Sequence, residues 1–240
     1  MNEMAPVENS KPVLVLCALD NLVIDNYKRK MATYLELGWD KKSIRKYLQD
    51  KNNMMRVASF NTYKTSFTAS SRRNKYYTVY NRNDMLEKDN PWQDSVKFVN
   101  ELNENFKIFI ISARKENLEK ETRNIMKKMG FPMKDLEIYF LKQNQSLANY
   151  RRRTFELIAN ENPSGYAITL SPNDIIPFSK YDYKVMGFTS LKYMEDFSRS
   201  NKTIEVCVTW RHIISYLRLE LKELEAKRKE KEVKMVSVSE

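Results

Sequence analysis

The stretch Leu14-Val-Leu-Cys-Ala-Leu-Asp-Asn-Leu-Val-Ile-Asp25 decides the fold of this chain. The apolar run from Val13 to Leu16 predicts a buried strand, and the pair Asp20 and Asn21 follows just past its end. In α/β proteins, ligands bind at the edge of the sheet where the strands end. We therefore expect Asp20 to lie at a binding or catalytic edge, while an ordinary turn or helix cap is the structural alternative.

The remaining chain alternates predicted strands and helices. Strands are predicted at 108–111, 136–141 and 166–170, near Val185, and along the alternating residues 204–210, with a further short strand at 76–80. Helices are predicted at 26–50 in two pieces around Gly38, at 91–106 behind Pro91, and at 115–129, 147–160 and 212–231. This order predicts an α/β fold, a mostly parallel three-layer sheet with helices on both faces.

Composition excludes several classes of site. The four glycines are too far apart to form a P-loop or a dinucleotide-binding turn. A single histidine, His212, argues against a Ser-His-Asp triad, and Cys17 and Cys207 are predicted to be reduced packing residues. Neither a membrane span nor a signal peptide is recognisable, so we expect an intracellular protein that does not bind membranes; a cytoplasmic, nuclear or virus-associated location stays open.

The charge of the chain is concentrated in one segment. Residues 41–82 contain eleven Lys or Arg and a single acid, Asp50, whereas the remainder has 31 basic and 30 acidic residues. The segment is also rich in aromatic side chains, which stack on unpaired bases, and basic clusters attract phosphate backbones. The candidate nucleic-acid-binding residues are Lys41, Lys42, Arg45, Lys46, Arg56, Lys64, Arg72, Arg73, Lys75, Tyr76, Tyr77 and Arg82. RNA is the favoured partner; an acidic protein, a larger assembly or a simply solvated loop are the alternatives.

The opening stretch resembles the first motif of the haloacid dehalogenase (HAD-like) phosphohydrolase superfamily, a hydrophobic strand followed by Asp-x-Asp-x-Thr. Laid over the common form DLDNTLID, this chain reads ALDNLVID, so that Ala18 stands at the nucleophilic aspartate and Asp20 at the general acid/base. In an alternative register Asp20 is itself the nucleophile, and Leu22 then stands at the acid position. The resemblance implies a phosphatase-like site in which Asp20 would be catalytic.

Three further motifs of the family can be compared with the chain. Phe109-Ile-Ile-Ser112 matches the second motif, so Ser112 is a candidate site residue, with an ordinary helix N-cap as its structural alternative. Lys142, or one of the candidate phosphate-binding residues Arg151, Arg152 and Arg153, fits the third; a solvated helix end is the alternative for the arginines. In the fourth, Ser171 and Pro172 replace Gly-Asp, which leaves Asp174 as the nearby acid.

The resemblance implies a HAD-like core over residues 11–30 and 88–232 and a basic cap inserted at 31–87. Independently of the resemblance, residues 233–240 are expected to form a flexible tail. Asp20, Ser112 and Asp174 would be a remnant catalytic site, and Asp20 and Asp174 would hold Mg²⁺ only if that site is active; otherwise no cofactor is expected. We interpret the chain as a pseudoenzyme that binds nucleic acid through its insert. A divergent Mg²⁺-dependent phosphatase that uses Asp20, and a structural subunit of a viral or organellar particle that binds an acidic protein, are the alternatives.

Overall fold

A six-stranded parallel sheet forms the centre of the protein, which we describe from a computed structural model of residues 11–49, 74–171, 180–188, 205–207 and 209–238. The strands are β1 (Val13–Leu16), β4 (Lys107–Lys115), β5 (Leu136–Leu141), β6 (Ser164–Thr169), β7 (Asp182–Phe188) and β8 (Glu205–Cys207), arranged in the order β5-β4-β1-β6-β7-β8. The chain therefore adds β4 and β5 on one side of β1 and then β6, β7 and β8 on the other side. The carboxyl end of β1 is the point of reversal, where a crevice is expected.

Helices cover both faces of this sheet. They include α5 (Ser95–Asn105), α6 (Glu119–Lys128), α7 (Leu147–Glu161) and α8 (Trp210–Val238). Because side chains alternate along a buried strand, Leu14 and Leu16 pack into one apolar cluster with α5 and α8, while Val13 and Val15 pack into another with α7. The predicted three-layer α/β architecture is confirmed. None of the described helices combines the length and the apolar character needed to cross a bilayer.

The predicted insert leaves and re-enters the core through one small hairpin. Strand β2 (Ile24–Asp25) pairs antiparallel with β3 (Asn90–Pro91), which places Asp25 opposite Asn90. Between them lie α1 (Tyr27–Glu36), α2 (Lys41–Gln49), the helical residues 74–80 (α3) and α4 (Asn83–Leu86). These helices have an apolar cluster of their own, whose buried members are Tyr34, Ile44, Leu48, Tyr76 and Tyr80. The division into core and cap stays a prediction.

Several predicted elements are wrong in type or extent. Residues 76–80 form a helix instead of a strand, because Tyr76 and Tyr80 stack one turn apart with centroids 5.3 Å apart. Pro91 belongs to β3, so the helix predicted behind it begins only at Ser95. Strand β4 continues through Ser112 to Lys115, and the next helix therefore begins after a 3-10 turn at Glu116–Leu118.

The carboxyl-terminal part also differs from its prediction. Trp210 is the first residue of α8 and not the last position of an alternating strand. Of that predicted strand the structure describes β8, and residues 204 and 208 lie outside the described part. The last helix extends to Val238, well into the segment predicted as a flexible tail.

Candidate functional site

Asp20 lies at the carboxyl edge of the sheet, next to the point where the strand order reverses. The paired part of β1 ends at Leu16, which is opposite Ile110 of β4 and Ile168 of β6. Two residues further along β1 and β4 come Ala18 and Ser112, both buried. This is the edge at which open α/β sheets bind ligands, as the sequence predicts for Asp20.

Hydrogen bonds within the turn and from two helices fix the backbone of the turn that follows Asp20. Asn21 adopts a positive φ of 67°, a conformation that asparagine tolerates better than most residues, and its amide donates to the carbonyl of Ile24 at 2.7 Å. The hydroxyl of Ser95 donates to the carbonyl of Val23 at 2.8 Å. The indole of Trp210 donates to the carbonyl of Leu22 at 2.7 Å. The backbone beyond Asp20 is therefore held by the amino-terminal ends of α5 and α8.

Both carboxylate oxygens of Asp20 accept hydrogen bonds from guanidinium groups. Arg114 donates from Nη2 to Oδ1 at 2.6 Å and from Nε to Oδ2 at 3.1 Å. Arg29, on α1, donates from Nη2 to the same Oδ1 at 3.0 Å. The Asp20 side chain keeps only a tenth of its surface exposed. Its hydrogen-bonding capacity at this edge is thus largely taken up by two arginines.

A second carboxylate closes these contacts into a ring. Asp89 pairs with Arg114 at 2.7 Å, from Nη2 to Oδ2, and with Arg29 at 3.0 Å, from Nε to Oδ1. Acid and base therefore alternate around Asp20, Arg114, Asp89 and Arg29, which we call the ion-pair ring. Buried charges are expensive unless they are paired, and each member here has two oppositely charged neighbours.

The ion-pair ring joins helices α1 and α3 to the sheet. Arg29 lies 4.0 Å from the ring centroid of Tyr80, a cation–π contact that covers the guanidinium, and the Asn26 amide donates to the Tyr80 hydroxyl at 2.8 Å. On the other side, Arg114 Nη1 donates to Thr122 Oγ1 of α6 at 3.2 Å. Segments from α1, α3, β4 and α6 thus meet at one buried cluster.

The ring strongly perturbs proton binding in its surroundings. Burial alone would raise the pKa of Asp20, but Arg114 and Arg29 outweigh burial and hold that pKa well below its usual range. Burial raises the pKa of Asp89 against the pull of the same two arginines, so Asp20 keeps its charge to lower pH. Burial also lowers the pKa of Lys30, the neighbour of Arg29, to about 8, although Asp20 favours its charged form.

Comparison with known proteins gives a clear result for structure only. No protein-family model matches the sequence, and no curated protein matches it. A candidate phosphatase from Clostridium difficile superposes with a TM-score of 0.61 at 11% identity, over 83% of this chain and 95% of that one. A predicted phosphatase from Clostridium acetobutylicum gives 0.59 at 14% identity, over 87% and 99%. The chain has the HAD-like fold.

A third structure with the HAD-like fold contains a bound magnesium ion. The HAD-hydrolase YfnB from Bacillus subtilis, solved with bound magnesium, superposes with a TM-score of 0.53 at 12% identity, over 87% of this chain and 99% of that one. At these identities the likeness establishes the fold, while activity and metal binding remain properties of the neighbours.

Magnesium does not fit the described residues at the corresponding edge of this HAD-like chain. The ion requires several oxygen ligands in near-octahedral geometry. Ala18 offers only a methyl group, and both oxygens of Asp20 are bound to arginines. In the described part of the chain, no three acidic, histidine or cysteine side chains are grouped so that they could hold a metal ion. Asp174, the second predicted ligand, lies among residues 172–179, outside the described part.

Ser112 reaches the candidate site through Arg114. Its hydroxyl accepts from the backbone amide of Arg114 at 3.1 Å, and its side chain is fully buried in β4. The alternative role as a helix N-cap is therefore wrong. On β6, Thr169 occupies the strand end and its hydroxyl accepts from the Ser171 amide at 3.1 Å. The candidate phosphate-binding residues lie in the first turns of α7, where Arg152 and Arg153 are exposed and Arg151 is half-buried; Lys142 is exposed just after β5.

The predicted nucleic-acid-binding residues fall into three groups. Lys41, Lys42, Arg45 and Lys46 on α2 are exposed, as is Lys75. Tyr76 is fully buried in the aromatic cluster, Tyr77 is half-buried against it, and Arg82 binds the carboxylates of Glu36 and Asp84. Their side chains are thus engaged within the protein. Arg56, Lys64, Arg72 and Arg73 lie outside the described residues.

The ion-pair ring was difficult to predict from the amino-acid sequence. Arg29 has the spacing of an ordinary surface residue on α1, and Asp89 lies in a polar connection before β3. Only Arg114 carried a usable signal, because it follows the second motif by two residues on a strand that ends at the same edge as β1. A charged residue in that position is expected to form an ion pair with an acid at the same edge of the sheet.

Proposed function

We propose that this HAD-like protein does not catalyse phosphoryl transfer and that it binds single-stranded nucleic acid, RNA in preference, through the basic face of α2. The observation that supports the first half is the engagement of Asp20 by Arg114 and Arg29 beside the methyl group of Ala18. The second half is supported by the four exposed cations of α2.

This edge of the sheet lacks groups that are needed to form and hydrolyse an aspartyl-phosphate intermediate. The reaction needs a carboxylate nucleophile with a free oxygen and an acid whose pKa lies near the working pH. Ala18 cannot attack phosphorus. Asp20 has its pKa held well below the usual range by Arg114 and Arg29, so at neutral pH it carries no proton to donate to a leaving group. Neither register of the first motif therefore provides both groups.

The exposed face of α2 has the character of a polyanion-binding surface. Lys41, Lys42, Arg45 and Lys46 are all exposed, and the helix contains no acid. Ile44 and Leu48 pack the other face of α2 into the apolar cluster that also contains Tyr34, Tyr76 and Tyr80. The four cations therefore project from a helix that is held in place by packing. Trp39 and Tyr47 lie half-buried beside them, 5.8 Å apart between centroids. Positive charge next to partly exposed rings is the combination that binds single strands.

Charge reversal on α2 tests this proposal. We expect fluorescence anisotropy with a labelled single-stranded RNA to show salt-dependent binding that weakens at least about tenfold in Lys42→Glu/Arg45→Glu, because counterion release supplies most of such affinity. The matched control is Lys127→Glu/Lys128→Glu at the exposed end of α6, which should bind like the wild type. Absence of binding, or equal weakening in both variants, contradicts the proposal. Capture of an acidic protein by α2 without RNA binding would assign the surface to that partner.

A divergent Mg²⁺-dependent phosphatase that uses Asp20 is the second candidate, and the structural neighbours favour it, since they are described as phosphatases and hydrolases. In that case Asp20 must be released from both arginines during turnover. Hydrolysis of a generic phosphate ester that requires Mg²⁺, and that Asp20→Asn abolishes while Asp84→Asn, a change of an exposed residue on α4, does not, would establish the phosphatase and overturn the first half of the proposal.

A further inference from the structure

Trp39 lies in the tight turn that joins the end of α1 to the start of α2. Its backbone amide donates to the carbonyl of Tyr34 at 3.0 Å, and the amide of Gly38 donates to a second carbonyl of α1 at 3.0 Å. Gly38 has a positive φ of 87°, so α1 ends in the Schellman geometry. The carboxylate of Asp40 accepts from the Ser43 amide at 2.9 Å and thereby caps α2. The backbone of Trp39 is therefore held between two helix ends.

The indole of Trp39 packs against the edge of the apolar cluster around Tyr34. Its ring centroid lies 5.0 Å from that of Tyr34 at a tilt of 45°, and 5.8 Å from that of Tyr47 at 66°. Tyr34 is 2% exposed, whereas Trp39 and Tyr47 are half-buried. Trp210, in contrast, is 1% exposed. Part of the Trp39 indole therefore faces water, while the packed rings hold its orientation.

Cations follow this ring directly in the chain. Lys41 and Lys42 are the first two residues of α2, and both side chains are exposed. Three peptide units separate Trp39 from Lys42, so their Cα atoms lie at most roughly 11 Å apart. Asp40 offsets one of the charges and takes up the Ser43 amide, which leaves the two lysine side chains as the groups that meet a phosphate. Ring and cations are thus close enough to contact neighbouring groups of one nucleic-acid strand.

The cations of α2 do not by themselves distinguish a single strand from a duplex. Both carry phosphates, and phosphate contacts hold no information about the bases. An aromatic ring does distinguish them, because an unpaired base offers a face for stacking, whereas the bases of a duplex are already stacked on one another. A ring that is already held in place loses little conformational freedom when it stacks.

We propose that Trp39 stacks on an unpaired base and that this contact gives the α2 surface a preference for single strands over duplexes. Lys41 and Lys42 bind the phosphates beside that base. Tyr76, an aromatic residue predicted from the sequence to contact nucleic acid, does not take this role, because its side chain is fully buried. This inference rests on the proposed function, since it assigns the selectivity of the same surface.

Fluorescence anisotropy tests the proposal with one labelled RNA in three forms: the single strand, its duplex, and a single strand that keeps the phosphates but lacks the bases. We expect the wild type to bind the intact single strand at least about fivefold more tightly than the other two, which is the gain from one stacked base. Trp39→Leu should remove this difference and leave the salt dependence unchanged, because no phosphate contact is lost. Trp39→Phe keeps a ring and should retain part of the difference.

Trp92→Leu is the matched control, because Trp92 is also half-buried but packs in the core, with its ring 6.1 Å from that of Phe188 and nearly edge-on. This variant should bind all three forms like the wild type. RNA should also quench the tryptophan fluorescence of the wild type and of Trp92→Leu, but not that of Trp39→Leu. If Trp39→Leu does not fold, the comparison of intact and base-free strands on the wild type still decides the matter.

Two results would overturn the inference. One is equal affinity of the wild type for the intact and the base-free strand; the other is a folded Trp39→Leu protein that keeps the wild-type preference for single strands. If Lys42→Glu/Arg45→Glu still weakens RNA binding in either case, the proposed function stands without base stacking. Absence of any RNA binding overturns both.

Discussion

The indole nitrogen of Trp210 and the carbonyl oxygen of Leu22 form a buried 2.7 Å hydrogen bond between the start of α8 and the turn after Asp20. Trp210 is 1% exposed, and its ring packs in the cluster that covers one face of the sheet. The carboxyl-terminal helix therefore supports the turn that presents Asp20, although the two residues are far apart in the sequence.

Trp210→Phe should lower the free energy of unfolding by about 1–3 kcal/mol, because it keeps an aromatic ring but leaves a buried carbonyl without its donor. Urea unfolding followed by circular dichroism measures this loss. His212→Ala, an exposed change on the same helix, is the control and should lie within about 0.5 kcal/mol of the wild type. Equal stabilities for Trp210→Phe and the wild type would show that the bond contributes nothing.

The stability of the fold should fall in acid partly through Asp20. Because Arg114 and Arg29 lower its pKa in the folded state below the ordinary value of 3.8, its ionised form contributes stability at neutral pH. That contribution is complete above the pKa of the unfolded chain and is lost as the pH falls toward the lowered folded pKa. Asp20→Asn should therefore be less stable at pH 7 and lose less stability between pH 5 and 2. Glu87→Gln, an exposed change, should retain the wild-type pH profile.

Lys30 should also make stability rise with pH, but in the alkaline range. Burial lowers its pKa to about 8 from the ordinary 10.5, so between these values the unfolded chain binds the extra proton. Stability then rises with pH over this window, on the order of 1–2 kcal/mol by pH 10. Lys30→Met should abolish the rise, as measured by urea unfolding between pH 7.5 and 10. If Lys30→Met keeps the full rise, another group is responsible; Lys28→Met, which is exposed, is the matched control.

Gly165→Ala should destabilise the centre of the sheet. A Cβ at this position would lie 2.7 Å from the carbonyl oxygen of Val13 and 3.1 Å from Tyr183 Cε1, and the first contact involves backbone that cannot move freely. Overpacking of this kind costs about 1–3 kcal/mol. Thermal unfolding checks the loss against Ser164→Ala, the exposed neighbouring position. A variant as stable as the wild type would mean that β1 and β6 separate easily at this end.

The order of strands and helices in the core was predictable because buried strands are short apolar runs and the helices repeat their apolar residues at three-to-four spacing. The helix at 74–80 was not predictable from local preference, since a run of tyrosine, threonine and valine favours a strand. Packing of Tyr76 and Tyr80 against Tyr34 decides its conformation, and those contacts join residues far apart in the chain.

The candidate site shows the same limit. Asp20 and Ser112 were located from sequence because each follows a run of apolar residues, and both lie at the carboxyl edge of the sheet. The ion-pair ring depends on Arg29 and Asp89, whose positions are set by α1 and by the connection that follows α4. An ion pair between residues on different elements has no repeating spacing in the sequence, so it can be identified only from the folded structure.

The hairpin of β2 and β3 has a consequence for how this architecture tolerates change. Asp25 and Asn90 lie side by side, so the folded hairpin holds the two ends of the segment between them close together. The entropy of closing such a loop grows only with the logarithm of its length. Lengthening or shortening the part of the segment that lies away from Arg29 and Asp89 therefore costs the sheet little, whereas an exchanged segment must still supply buried partners for Asp20 and Arg114.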